Sequence, residues 1–177
     1  MKAQVYVSIG SNVERRKNIA LVLEKLADEF GPIEQSSVYE SDAVGFSSDP
    51  FYNLVVGFQT DVSPRDVQDR LHAIEDSCGR VRLGKLSART MDLDLLLYAD
   101  RVIHEQGLSL PRSDITRYAF VLCPLAEIAG MHKHPVSGER YSDMWAAFDD
   151  SEQALRRVDW PPVSNEAVDQ VFRRSDK

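Results

Sequence analysis

Two carboxylates alternate with large apolar residues in the segment Asp92-Leu93-Asp94-Leu95. Alternate side chains of a β-strand point to the same face of the sheet, so Asp92 and Asp94 would lie side by side. Neighbouring carboxylates raise each other's pKa, which favours a cation between them, and Mg²⁺ favours one or two carboxylates plus substrate phosphates. The pattern therefore predicts a magnesium site. The alternative is two acids facing solvent on a half-exposed sheet.

A cluster of basic residues lies directly upstream of these acids, and its four members fall within ten residues: Arg80, Arg82, Lys85 and Arg89. Guanidinium groups bind phosphate oxygens through paired hydrogen bonds. Metal-binding carboxylates next to such arginines are the combination that phosphoryl transfer requires. Taken alone, the cluster is better explained as a solvated loop paired with surface acids. Its position beside Asp92 and Asp94 favours a phosphate site.

The elements that must position these residues follow from the spacing of apolar side chains. Ser63 and Pro64 suit the N-cap and first position of the second helix. The sequence predicts strands over residues 3–9, 33–39, 51–60 and 91–98, and helices over 14–30, 64–78 and 119–130. This order predicts an α+β, ferredoxin-like βαββαβ sandwich. Two long loops, 40–50 and 79–90, would carry functional residues.

Composition and charge restrict the class of protein. The chain has 177 residues with 43% hydrophobic and 28% charged residues, which is typical of one folded domain over 1–150. We predict that residues 151–177 are a peripheral tail, partly helical or disordered, and not a separate domain. The net charge of −7 argues against nucleic-acid binding. No membrane span or signal peptide is evident, so a cytoplasmic location and a monomer are expected.

Eight short segments form a set whose order and spacing along the chain are specific. They are Ile9-Gly10-Ser11-Asn12, Tyr39-Glu40-Ser41 to Val44-Gly45, Phe51-Tyr52-Asn53, Ile74-Glu75, Gly79-Arg80-Val81-Arg82, Arg89-Thr90-Met91-Asp92-Leu93-Asp94, Leu110-Pro111 and Phe120-Val121-Leu122-Cys123-Pro124-Leu125. On these segments the chain resembles the 6-hydroxymethyl-7,8-dihydropterin pyrophosphokinase family of folate biosynthesis over roughly residues 3 to 145.

The resemblance implies an ATP-dependent pyrophosphokinase. In that family the hydroxymethyl oxygen of the pterin attacks the β-phosphorus of ATP, and AMP leaves. The implied cofactor is Mg²⁺, with two ions on Asp92 and Asp94, and ATP is the co-substrate. The catalytic set implied is Arg80, Arg82, Arg89, Asp92 and Asp94.

The resemblance also assigns two groups of binding residues. The pterin would contact Ser41, Val44, Gly45, Phe51, Asn53 and Phe120, with the two phenylalanines on either side of its ring. The nucleotide would contact His72, Glu75, Arg80, Arg82, Arg89, Arg112 and Arg117. Without the resemblance, Phe51 and Phe120 would be better explained as ordinary core. His72 would then be a surface residue.

Two departures from the family pattern bear on activity. Lys85-Leu86-Ser87-Ala88 replaces the usual Arg-Trp-Gly-Pro stretch, so the loop tryptophan is absent. Arg112, Ser113 and Tyr118 stand where the family has histidine, an aromatic or similar residue, and arginine. These changes leave two alternatives to an enzyme with an altered ATP site. One is a non-catalytic paralogue that binds pterin or nucleotide, and the other is an enzyme for a different hydroxymethyl heterocycle.

Overall fold

The structure, a computed structural model, describes residues 1–44, 49–78 and 91–160. In these ranges one antiparallel sheet contains β1 (Ala3–Ser11), β2 (Glu34–Gln35), β3 (Val38–Ser41), β4 (Phe51–Thr60), β5 (Asp92–Tyr98) and β8 (Arg156–Val158). A separate hairpin joins β6 (Ile103–Glu105) and β7 (Leu108–Leu110). The helices are α1 (Arg15–Phe30), α2 (Pro64–Ser77), α3 (Asp114–Arg117), α4 (Ala119–Ala129) and α5 (Tyr141–Ala146).

The strands of the main sheet follow the order β5-β1-β4-β3-β8, and β2 also pairs with β4. Helix α1 connects β1 to the β2–β3 region, and α2 connects β4 to β5. Long connections through helices place β1 and β4 at the centre, which is the ferredoxin-like arrangement. The predicted fold is confirmed. Ser63 also caps α2 as predicted, since its Oγ accepts a hydrogen bond from Asp66 N at 3.2 Å, and Pro64 is the first helical residue.

Each face of the sheet packs on its own helices. Alternate residues of the central strands, such as Val7 and Leu54, are fully buried against α1 and α2. The other face packs on α4 and α5, where Leu96, Leu122 and Tyr141 belong to a second cluster of buried side chains. Because α4 begins only at Ala119, beside the ends of β1 and β4, this face leaves space for a cavity there.

The second predicted strand is wrong in one respect, because it is two strands and not one. The interruption lies at Ser36 and Ser37. Ser36 Oγ accepts a hydrogen bond from Val55 N at 2.9 Å, so a side chain takes the place of a backbone acceptor. Ser37 N donates to the Glu127 carboxylate of α4 at 2.9 Å. These side-chain bonds compete with regular strand pairing.

The described part of the C-terminal tail contains a strand, where the sequence predicted helix or disorder. Strand β8 pairs antiparallel with β3, with Arg156 opposite Glu40. The short run Arg156–Val158 has no periodicity long enough to be recognised from sequence. Hairpin β6–β7 and helices α3 and α5 were not predicted either, and they are also short. In the ranges that the structure describes, no helix has the length and apolarity needed to span a bilayer.

Candidate active site

A cavity of about 200 Å³ opens at the end of the α4 face. It brings together most of the residues that were assigned to the pterin, and both acids. Its wall is formed by Ser8, Ile9, Gly10, Ser41, Asp42, Val44, Phe51, Asn53, Asp92, Asp94, Asp114 and Phe120. Six elements or their connections contribute to it, so residues far apart in sequence meet in one place.

Gly10 forms the junction between the two halves of this cavity. In the sheet it lies opposite Asn53 on β4 and opposite Asp92 on β5. A Cβ atom at Gly10 would stand 3.4 Å from Asn53 Oδ1 and 3.9 Å from Phe51 Cδ1. The absence of a side chain at this position therefore keeps the space between the amide and the acid open.

Asn53 is held in a fixed orientation on the floor of the cavity. Its side chain is 5% exposed, and Nδ2 donates to Ser41 Oγ at 2.7 Å. Nδ2 also lies 3.5 Å from the Tyr39 carbonyl oxygen. Because the amide nitrogen is occupied in this way, Oδ1 faces the Gly10 side as an acceptor. A donor on a flat heterocycle is the group that this geometry would bind.

Phe51 and Phe120 line the cavity from different elements, at the start of β4 and in the first turn of α4. Both rings are partly exposed, whereas core residues of the same sheet face, such as Val55, are fully buried. Tyr118 stacks on Phe120 with ring centroids 5.0 Å apart and fixes the plane of that ring. Two supported aromatic side chains at a cavity wall are suited to stacking on a ring.

The two predicted metal ligands point into the same cavity, since both Asp92 and Asp94 line it. Arg112 NH2 lies 3.3 Å from Asp94 Oδ1, and Arg112 Nε donates to Asp114 Oδ2 at 2.9 Å. In the described residues, no group of three or more His, Cys, Asp and Glu is arranged to hold a metal ion by itself. Two carboxylates beside an open cavity fit Mg²⁺, which completes its shell with water and phosphate oxygens.

Glu75 lies behind β5 and not in the cavity wall, as far as the described residues define it. Its side chain is 7% exposed, and Oε1 accepts a hydrogen bond from Leu93 N at 2.6 Å. Burial raises the pKa of Glu75, the Leu93 bond opposes that rise, and the charges of Asp92 and Asp94 add to it. The carboxylate therefore anchors the edge strand between the two acids.

The other residues assigned to the nucleotide are placed less centrally. His72 is exposed on α2, one turn from Glu75. Arg117 is exposed at the end of α3, and its carbonyl oxygen accepts from Gln153 Nε2 at 3.1 Å. Arg112 lies beside the cavity through its contact with Asp94. Four further predicted residues, Gly45, Arg80, Arg82 and Arg89, are outside the described residues.

Comparison with known proteins identifies the family. A sequence model of the family described as 7,8-dihydro-6-hydroxymethylpterin-pyrophosphokinase matches residues 6–130. The chain is 38% identical over 133 residues to 2-amino-4-hydroxy-6-hydroxymethyldihydropteridine pyrophosphokinase of Pseudomonas aeruginosa, covering 73% of this chain and 82% of the relative. The Haemophilus influenzae protein of that name is 36% identical over 129 residues, covering 70% and 80%.

The chain belongs to the 7,8-dihydro-6-hydroxymethylpterin-pyrophosphokinase family.

Longer relatives contain this unit as one part. The folic acid synthesis protein fol1 of Pneumocystis carinii is 36% identical over 137 residues, and the match spans 76% of this chain but only 18% of that protein. A Plasmodium falciparum HPPK-DHPS structure superposes with a TM-score of 0.66 at 15% identity, covering 82% of this chain and 45% of that one. At this low identity the structural match supports the fold alone.

Membership of the pyrophosphokinase family confirms the resemblance drawn from the sequence, and five cavity residues were not assigned to the site from the sequence. Ile9 and Gly10 were noted as part of a motif, but the place of Gly10 between Asn53 and Asp92 depends on strand register. Ser8, Asp42 and Asp114 also line the cavity. Asp114 could have been found from the sequence, because an arginine near a metal site requires an acidic partner and Asp114 lies two positions after Arg112.

Proposed function

We propose that this chain transfers the pyrophosphoryl group of ATP to the hydroxymethyl group of 6-hydroxymethyl-7,8-dihydropterin and releases AMP. One observation carries the proposal most directly. The two aromatic side chains, the oriented amide of Asn53 and the paired carboxylates line a single cavity. A site for a flat heterocycle therefore lies next to a site suited to a polyphosphate.

The pterin binds between Phe51 and Phe120, with a ring N–H donating to Asn53 Oδ1. Support for this orientation comes from Ser41, which holds the amide nitrogen at 2.7 Å. Ser41, Val44 and Gly45 form the rim. The Tyr39 carbonyl oxygen, 3.5 Å from Nδ2, can only accept a hydrogen bond, so this orientation presents Oδ1 as an acceptor to the ring.

Asp92 and Asp94 would hold Mg²⁺ together with the phosphates of ATP, and we propose two ions, as the family resemblance implies. Bound metal ions supply neutralisation of the charge on the phosphate oxygens and hold reacting groups in line. Arg112 keeps the Asp94 carboxylate aimed at the cavity, and Asp114 holds the other side of the guanidinium group. Glu75 fixes the backbone between the two acids through Leu93 N.

The reaction forms a bond between the hydroxymethyl oxygen and the β-phosphorus, and it breaks the bond from that phosphorus to the oxygen bridging the α-phosphate. The residues that we assign to the nucleotide and its phosphates are His72, Glu75, Arg80, Arg82, Arg89, Arg112 and Arg117. Arg112 is the member whose described position supports this role, since its guanidinium group lies beside the acid Asp94.

We also propose that the protein acts in the cytoplasm as a monomer.

One contact favours a second candidate, a non-catalytic member of the family that binds pterin or nucleotide. In this candidate the Arg112 guanidinium, 3.3 Å from Asp94 Oδ1, would neutralise that carboxylate in place of a metal ion. In this candidate the cavity would bind ligand without transfer.

The nucleotide product separates the two candidates. The protein is incubated with ATP and Mg²⁺, with and without 6-hydroxymethyl-7,8-dihydropterin, and AMP and ADP are quantified by chromatography. We expect AMP only when the pterin is present, because attack at the β-phosphorus releases AMP. Pterin binding without any AMP would contradict the transferase and support the binding protein. Pterin-independent ADP would contradict both.

A further inference from the structure

An ion-pair triad lies on the sheet face opposite the cavity, and three separate elements contribute to it. Glu40 of β3 receives two arginines. Arg15 NH1, from the first residue of α1, lies 2.8 Å from Glu40 Oε2. Arg156 Nε, from β8, donates to Glu40 Oε1 at 3.0 Å. Both oxygens of one carboxylate are therefore used, each by a different part of the chain.

The triad also holds the two ends of the segment that connects β3 and β4. Arg15 NH1 donates to the Pro50 carbonyl oxygen at 2.9 Å, directly before Phe51. Arg156 NH2 lies 3.4 Å from Asp42 Oδ1, directly after Ser41. At both described ends, next to the cavity residues Ser41, Asp42 and Phe51, the chain is thus held by side chains that do not line the cavity.

Isolated ion pairs on a protein surface contribute little, because solvent screens them and long side chains lose freedom. This triad differs in its connections, since one carboxylate joins three elements. The Arg156 side chain is half exposed, but Glu40 is 23% exposed, and the Arg15 guanidinium stacks on the Tyr52 ring at 3.9 Å from its centroid. The guanidinium groups of Arg156 and Arg15 lower the pKa of Glu40, which keeps the carboxylate charged.

We propose that Arg15, Glu40 and Arg156 are positioning residues for the pterin cavity, so that strand β8 supports the substrate site. They do not touch the substrate. They hold the backbone on both sides of it, at Ser41–Asp42 and at Phe51, whose side chains line the cavity. This inference rests on the proposed function in one respect, which is that the ligand of the cavity is a pterin. The contacts of the triad are observed independently of that function.

The chain provides a matched control in Arg157, the next residue of β8. Arg157 has the same charge and is exposed, but its position opposite Tyr39 points it away from Glu40, and it lines a different cavity with Glu127 and Trp160. Substitution of either arginine by alanine removes one positive charge from β8. Only Arg156→Ala breaks the triad.

The first measurement is hydrogen exchange of the ligand-free protein, which needs no assumption about function. In Arg156→Ala the amides of Ser41, Asp42 and Phe51 are expected to exchange faster than in the unchanged protein. Arg157→Ala should leave them unchanged. Equal exchange in the two variants would overturn the proposal.

The second measurement is the steady-state rate of pterin-dependent AMP formation. We expect Arg156→Ala to raise the KM for the pterin by about fivefold with little change in kcat or in the KM for ATP, because a small misplacement of binding residues weakens a positioned substrate. Arg156→Lys should restore part of the loss. Faster exchange without a change in the pterin KM would show a purely structural bridge and overturn the proposal.

The two proposals fail in different ways. If the unchanged protein forms no pterin-dependent AMP, the proposed function fails, and the pterin dissociation constant, measured by calorimetry, replaces KM as the readout for the triad. If the unchanged protein turns over normally but Arg156→Ala and Arg157→Ala behave alike, only the triad proposal fails.

Discussion

The face of the sheet that packs on α1 and α2 is apolar along most of its central strands, whereas the face under α4 is apolar in its middle and polar at the cavity end. On the first face β1 contributes Val5, Val7 and Ile9, all buried. On the second face the same strand contributes Tyr6, Ser8 and Gly10, and the last two line the cavity. Complete helical cover produces a core, and incomplete cover leaves an open site.

Strand β5 shows the same division within seven residues. Leu93 and Leu95 face the covered side and are buried, while Asp92 and Asp94 face the cavity. Farther along, Leu96 is fully buried under α4. The register of β5 on β1 shifts between Tyr6 and Val7, so the strand changes from acids to core near an irregularity in the pairing. Alternation alone would not have shown where the polar part ends.

The largest expected effect is a loss of turnover, and it follows from a substitution at the cavity end of the sheet. Asp94→Asn should reduce pterin-dependent AMP formation by at least about a hundredfold, because the carboxylate would hold the Mg²⁺ that neutralises phosphate charge, and loss of one preorganised electrostatic group costs about that much in other enzymes. The fold should be retained, since Asp94 is partly exposed. The assay is AMP formation at saturating substrates, with circular dichroism as the check on folding.

Asp100→Asn is the matched control for that substitution. Asp100 is exposed in the turn after β5, at the other end of the strand. Its substitution should leave turnover unchanged. Near-normal turnover in Asp94→Asn would contradict the assignment of Asp94 as a metal ligand. It would also contradict the expected difference between the cavity end of β5 and the end at Asp100.

The next effect is a loss of stability, and it concerns the face of the sheet that packs on α1 and α2. Leu54→Ala should lower the free energy of unfolding by about 2–5 kcal/mol, since a fully buried leucine leaves a cavity. The KM values of the folded fraction should not change. Urea unfolding measures the first quantity, and steady-state kinetics the second.

Phe51→Ala is the comparison on the open end. Phe51 is a larger side chain but only partly buried, and we expect it to cost less stability than Leu54 while raising the pterin KM. If Phe51→Ala destabilised the protein as much as Leu54→Ala with no change in KM, Phe51 would be ordinary core.

The smallest effect separates the two ligands. Asn53→Ala should raise the KM for the pterin by about tenfold, the range expected when one oriented hydrogen bond to a buried ligand is lost. The KM for ATP should change little. Asn18→Ala is a suitable control, because Asn18 is also buried but donates to the Val13 carbonyl oxygen at 2.6 Å, away from the cavity. Equal rises in both KM values would contradict the pocket as assigned.

Local sequence patterns predicted the long elements well, because the apolar stripes of α1 and α2 and the run of β4 have clear periods. They did not predict β8, since a strand of three residues has no period to recognise and depends on pairing with β3. The break at Ser36 was missed for a similar reason. It arises from a side-chain bond to Val55, a residue that only the fold brings near.

The candidate site divides in the same way. Asp92 and Asp94 were predicted from strand alternation, and Asn53 and the two phenylalanines were assigned from the family resemblance. The structure brings all five to one cavity. The roles of Gly10 and Asp114 depend on strand register and on the position of Arg112, which no local pattern contains. The Glu75 bond to Leu93 N is likewise a product of packing α2 beside β5.

The most direct test of this account is a crystal structure with 6-hydroxymethyl-7,8-dihydropterin, Mg²⁺ and a non-hydrolysable ATP analogue. We expect the pterin ring between Phe51 and Phe120, Mg²⁺ on Asp92 and Asp94, and the hydroxymethyl oxygen about 3–3.5 Å from the β-phosphorus, the distance required for attack. A pterin bound elsewhere, for example in the cavity lined by Tyr6, His132 and Tyr141 at the other end of the same face, would contradict it.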